Sequence, residues 1–135
     1  MSGFDFGKLK DPQYFAENRL PAHSDHIFYR DEAELARGVS SFYRTLGGIW
    51  HFAYARNTAL IPQGFEAMDY DCHDWETIHV PAHIQMEGHG VPHYTNTTYP
   101  WDGHESIAPG EIPTRSNPVG CYVKYFNVPK DWENV

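Results

Sequence analysis

Positive charge is scarce in this chain. Ten Lys and Arg stand against eighteen Asp and Glu, a net charge of −8 with the nine histidines neutral. The cations form no cluster along the sequence. Phosphate-rich surfaces are gripped by concentrated positive charge, so nucleic acid and anionic membranes are excluded as partners, and a neutral partner such as a carbohydrate fits better. Cysteine is scarcer still. Cys72 and Cys121 are too few for a disulfide framework, and neither belongs to a CxxC motif. Each is expected to serve as a small apolar residue in a reduced compartment. Long apolar runs are missing: the N-terminus MSGFDFGKLKDP has no hydrophobic stretch of the signal-peptide kind, and nothing approaches a membrane span. The chain therefore reads as cytoplasmic.

Catalytic signatures are also absent. There is no G-x-S-x-G elbow, no G-x-G-x-x-G and no P-loop. His79, His83, His89, His93 and His104 fall in one stretch, and two pairs are four residues apart. Such spacing converges on a metal only from a helix, and Pro81, Gly88 and Gly90 prevent one, so these read as loop histidines and no metal site is expected. Asp69, Asp71, Asp74, Glu76, Glu87, Asp102, Glu105 and Glu111 sit in polar segments. Glycoside hydrolysis needs two carboxyl groups flanking the scissile bond, and nothing marks such a pair here. No catalytic residue is assigned within the chain.

What is present is aromatic weight and alternation. A length of 135 residues bounds the chain to one domain, and aromatics at 16% favour a β-rich, packed one. Residues 1–40 are irregular, broken by Pro12 and Pro21, with about two helical turns expected over Asp31–Arg37 and ended by Gly38. They read as an arm, and residues 41–135 as the domain proper. Ile49–Ala55 alternates Trp50, Phe52 and Tyr54 onto one face, and Trp75–Val80 alternates likewise. Tyr94–Tyr99 is a third strand-like segment, and Gly120–Val128 the fourth, with bulk on both faces; His83–Met86 is a short extra piece. Residues 101–118 form a long loop of the kind that is functional or clamped by a neighbour. Four strands are too few to close a sandwich or barrel, so the chain reads as part of a domain.

Residues Val80–Trp101, VPAHIQMEGHGVPHYTNTTYPW, hold the candidate site. Tyr94, Asn96 and Tyr99 combine aromatic faces, which pack on the C–H side of a pyranose, with an amide that donates to and accepts from hydroxyls. Asn96 has a plainer alternative, a turn in which its side chain bonds its own backbone. Asn96-Thr97-Thr98 also fits the N-x-[ST] glycosylation pattern, a match common by chance and irrelevant in a cytoplasmic protein.

Five segments in order, NRLPAH at 18–23, LGGIWHF at 46–52, VPAHIQMEG at 80–88, YTNTTYP at 94–100 and NPVGCYVKYFNV at 117–128, resemble the N-terminal domain of the long-chain bacterial β-galactosidases of glycoside hydrolase family 2. The resemblance runs from about residue 18 to the end. It implies an all-β fold, a galactose-binding-like jelly-roll β-sandwich, incomplete here and preceded by the irregular arm. It implies a parent enzyme that hydrolyses terminal β-D-galactosides such as lactose with retention, through two glutamates on a TIM barrel outside these residues. Magnesium, and often sodium, would assist in that barrel, with none bound by these residues. Asn96 would bond galactosyl hydroxyls and Thr97 would wall the site. The other partners implied are the barrel, the remaining domains and further copies in a homo-oligomer. Thr97 departs from the valine often found there, which keeps the β-branched shape and adds a hydroxyl. Family members are several times longer, so the chain is expected to be a fragment, inactive alone. The rival readings are a free-standing carbohydrate-binding module and a structural segment without catalysis.

Overall fold

The computed structural model describes residues 5–93 and 95–132. Its regular framework is a three-stranded antiparallel sheet of β1 (Gly48–Ala55), β2 (Glu76–Val80) and β3 (Val119–Val123), in the order β2-β1-β3. The only α-helix among the described residues is α1 (Glu32–Arg37). The regular structure of the described residues is thus mainly sheet, in keeping with the all-β class expected from the sequence.

The alternation of the sequence becomes two faces of the sheet. Phe52 lies opposite Glu76 on one side and Tyr122 on the other, and Trp50 lies opposite Ile78, so these share a face. Ala53 lies opposite Cys121 and Ala55 opposite Val119, on the other face. Burial follows on both sides: Phe52 and Ile78 are 1% and 2% exposed, and Ala55 and Cys121 match them on the reverse face. Phe52 sits against the rings of His89 at 4.6 Å and Tyr122 at 4.9 Å. That approach needs a bare backbone at Gly120, where a Cβ would stand 3.0 Å from Phe52 Cε2 and 2.9 Å from Tyr122 Cε2.

Contacts divide the chain into two units, one of residues 1–15 and 48–124, the other of residues 16–47 and 125–135. The sheet belongs to the first. In the second, α1 starts where Asp31 Oδ1 accepts from the Glu34 amide at 2.8 Å, and ends at Gly38 in the left-handed region with φ 66°. The Glu34 carboxylate is buried and accepts from the amides of Arg30 (2.9 Å) and Ser41 (3.2 Å). Those bonds, the Arg30 amide foremost, hold its pKa below the ordinary carboxylate value. Arg30 pairs with Asp131 at 2.9 Å and stands over the Phe42 ring. The indole of Trp132 donates to the Ser41 carbonyl at 3.0 Å.

Three segments depart from the expected strands. Residues 96–98 form a bend instead of a strand: the Tyr99 amide donates to Asp102 Oδ2 at 3.0 Å, and Pro100 has no amide to give to a ladder. Residues 83–86 fold into a turn: the amides of Met86 and Glu87 both donate to the His83 carbonyl, at 2.9 and 3.3 Å. The last strand stops at Val123, five residues short of Val128. There the Lys124 ammonium, rather than a backbone amide, donates to the Ile49 carbonyl at 2.6 Å, and the ladder ends.

Candidate functional site

Asn96 and Thr97 lie in the bend of residues 96–98 and both are exposed. Neither side chain hydrogen-bonds a described residue, so the amide of Asn96 is not spent on a local turn and is open to a ligand. Tyr94 falls outside the described residues. Tyr99 is two-thirds exposed, with its ring stacked on Trp101 at 5.2 Å and an interplanar angle of 4°. The bend is thus followed by a flat aromatic pair, positioned by the Tyr99–Asp102 bond and by turns in which the amides of His104 and Glu105 donate to the Trp101 carbonyl.

Behind this bend is a concave pocket of about 450 Å³ within the sheet-bearing unit. Its apolar walls are Tyr54, Val91, Pro100, Trp101 and Pro113. Arg56, Arg115, His93, His104 and Asn117 line the same cavity, and Asn117 Nδ2 donates to the Pro113 carbonyl at 3.2 Å. Asn96 and Thr97 are not among its described lining residues. The histidines read from sequence as scattered loop residues therefore separate into roles. His93 and His104 face one pocket, while His89 packs on Phe52 and places Nε2 3.5 Å from Glu76 Oε2. Among the described residues, no three His, Cys, Asp or Glu side chains converge to hold a metal ion.

The carboxylates act as local braces. Asp71 accepts from the His73 amide at 3.0 Å, Asp102 from Tyr99, and Glu111 pairs with Lys10. Glu105 goes furthest. Its two oxygens accept from the amides of Thr114, Arg115 and Ser116 at 2.9 to 3.1 Å and from the Thr114 hydroxyl at 2.9 Å. The Thr114 amide is the leading cause that holds its pKa down, to about 2. The long loop of residues 101–118 is thus clamped on one ionised carboxylate, which sets the backbone from which Arg115 and Asn117 reach the pocket. Sequence reasoning missed this role; its only trace was the length of the loop, since the partners lie nine to eleven residues beyond Glu105.

Burial pushes the Cys121 thiol up, away from the thiolate, and burial likewise raises Tyr122.

Comparison with known proteins agrees with a binding domain. Residues 43–135 match the sugar binding domain of glycosyl hydrolases family 2. The chain is 48% identical to a beta-galactosidase of Halalkalibacterium halodurans, with 93% of this chain aligned to 12% of that protein. It is 40% identical to a beta-galactosidase of Lactobacillus delbrueckii subsp. bulgaricus, covering 92% of this chain and 12% of the relative. It is also 40% identical to the beta-galactosidase large subunit of Leuconostoc lactis, covering 89% of this chain and 21% of that subunit. The chain thus spans about an eighth to a fifth of the length of these relatives. With the sheet, the exposed bend and the match over residues 43–135 together, the chain belongs to the sugar-binding domain family of the family 2 glycosyl hydrolases.

Proposed function

We propose that this chain is the sugar-binding portion of a β-galactosidase that releases terminal β-D-galactosyl residues with retention. In this reading Asn96 and Thr97 finish the rim of the galactose pocket. The observation that carries the proposal is the 48% identity, across 93% of the chain, to a protein named beta-galactosidase. The geometry supports the site: the Asn96 amide is exposed and unspent, so it can exchange water for galactosyl hydroxyls, donating through its NH₂ and accepting at its carbonyl. Thr97 presents a β-branched wall with one added hydroxyl.

The acid/base and nucleophile carboxylates of the double displacement are placed on a catalytic barrel outside these residues. That barrel, the other domains of the parent protein and further copies of it are the proposed partners, and the cytoplasm is the proposed compartment. Among the described residues no helix is long and apolar enough to cross a membrane. The division proposed is an arm over 1–40 and the domain portion over 41–135, supported by a family match that begins at residue 43. Magnesium and sodium are proposed for the barrel: among the described residues no three His, Cys, Asp or Glu side chains converge, and no step is routed through those ions here.

Two assays test the reading. The 135-residue chain, given a chromogenic β-galactoside, is expected to show no turnover above background; turnover abolished by Asn96→Ala would place the chemistry inside this chain. In the protein that carries the barrel, Asn96→Ala is expected to lower kcat/KM by about 0.5–1.5 kcal/mol of transition-state stabilisation, as for loss of a neutral hydrogen bond. An unchanged kcat/KM removes Asn96 from the site.

A further inference from the structure

The pocket behind the bend has a composition at odds with the chain around it. Net charge is −8, yet the described lining of this cavity holds two guanidiniums, Arg56 and Arg115, two imidazoles, His93 and His104, and no carboxylate. Neither guanidinium takes part in an ion pair or hydrogen bond with a described side chain. Three acids lie on the same loop outside the described lining: Asp102 accepts from the Tyr99 amide, Glu105 from the Thr114–Ser116 backbone, and Glu111 pairs with Lys10. None of these carboxylates forms an ion pair with Arg56 or Arg115, so both guanidiniums keep their donors for a ligand. The rest of the wall is apolar and ring-bearing: Tyr54, with its ring 6.0 Å from that of His89, and Trp101, stacked on Tyr99. A volume of 450 Å³ falls within the range of about 300–1,000 Å³ that small-molecule sites occupy.

Aromatic walls suit the C–H face of a pyranose, and guanidiniums suit a carboxylate, sulfate or phosphate oxygen. We propose that this pocket is a second ligand site, distinct from the Asn96 rim, that takes an anionic saccharide: a sugar ring bearing a carboxylate, sulfate or phosphate group. Trp101 and Tyr54 hold the ring, Arg56 and Arg115 the anion, and Asn117 and the imidazoles the remaining hydroxyls. The site does not rest on the galactosidase reading, because neither Asn96 nor Thr97 lines it among the described residues.

The test is a titration of the 135-residue chain with sodium D-galacturonate, D-galactose and sodium sulfate, followed at the Trp101 indole and Arg115 amide resonances. Galacturonate is expected to shift both signals saturably, while galactose at equal concentration does not and sulfate binds more weakly. Affinity should fall roughly tenfold for each guanidinium lost in Arg56→Gln and Arg115→Gln, as when a charge-assisted bond is removed. Arg37→Gln, in the other unit, should leave it unchanged. For the unsubstituted chain, raising NaCl from about 20 to about 500 mM should weaken binding several-fold through screening, a readout independent of any variant's folding. Equal binding of galacturonate and galactose, insensitivity to salt or to both substitutions, or no saturable shift overturns the proposal. Sulfate as tight as galacturonate overturns its saccharide part.

Discussion

At the scale of single residues, two carboxylates use one device in different places. Glu34 and Glu105 each gather backbone amides that would otherwise face solvent or lie unpaired, and each is held below the ordinary carboxylate pKa by those bonds. For Glu105 the consequence for pH follows directly. Its folded pKa of about 2 lies under the ordinary value of 4.5, so between these values the unfolded chain binds more protons and stability rises with pH. The contribution is fully present above pH 4.5 and is lost as pH falls toward 2. Glu105→Gln should flatten that slope, and acid unfolding followed by tryptophan fluorescence would show it. The same variant should also speed hydrogen exchange at Thr114, Arg115 and Ser116, since an amide offers one acceptor oxygen where the carboxylate offers two. Gly90 is a second residue with a narrow requirement. Its φ is 70°, and a Cβ there would stand 2.8 Å from Tyr54 Oη. Gly90→Ala should cost about 1–2 kcal/mol from the left-handed backbone alone, read as a lower urea midpoint.

At the scale of elements, β1 carries the sheet. It pairs on both sides, and its Phe52 is the largest side chain fully buried among the described residues. Phe52→Ala removes contacts with His89 and Tyr122 together and is expected to cost about 3–5 kcal/mol. A sheet of three short strands has little stability to spare, so loss of the cooperative urea transition is the expected result. Gly120→Ala probes the same cluster by overfilling it. With ring carbons 2.9 and 3.0 Å from the new methyl, Tyr122 and Phe52 must both give way, at about 1–3 kcal/mol. The two variants differ in sign of volume and agree in direction, which separates tight packing from mere hydrophobicity. The alternation in Ile49–Ala55 and Trp75–Val80 made β1 and the second strand legible beforehand, because the pattern is the physical cause of the element. Tyr94–Tyr99 has a similar residue mix and is no strand over its described residues. A strand needs a neighbour's amides and carbonyls as well as a suitable sequence, and the Asp102 carboxylate and Pro100 leave this segment with neither use nor means for a ladder.

At the scale of the whole molecule, the fully buried apolar set among the described residues is small: Phe52, Ala55, Cys72, Ile78 and Cys121. Large side chains such as Tyr125, Phe126 and Val128 are each more than half exposed. Both edge strands of the sheet, β2 and β3, lack a second neighbour among the described residues. Open edges and exposed apolar side chains favour association of the isolated chain. Sedimentation velocity across a concentration series is expected to show self-association, and a monomer at all concentrations would contradict it. The same surfaces are what a domain would present to neighbouring domains of the proposed parent enzyme.

The amino-acid sequence by itself determined the all-β class, two of the three strands within a residue, the short helix with its Asp31 start and Gly38 stop, and the family, through five ordered segments. These depend on local pattern, which is written contiguously. Tertiary structure alone decided the fate of the charged residues. Whether Glu105 is a solvated acid or a clamp depends on three amides nine to eleven residues away. Whether Arg56 and Arg115 are scattered surface cations or one pocket depends on the path of the loop that the clamp holds. Electrostatics acts through space, and the spacing of charges along a chain carries little of that information until the chain has folded.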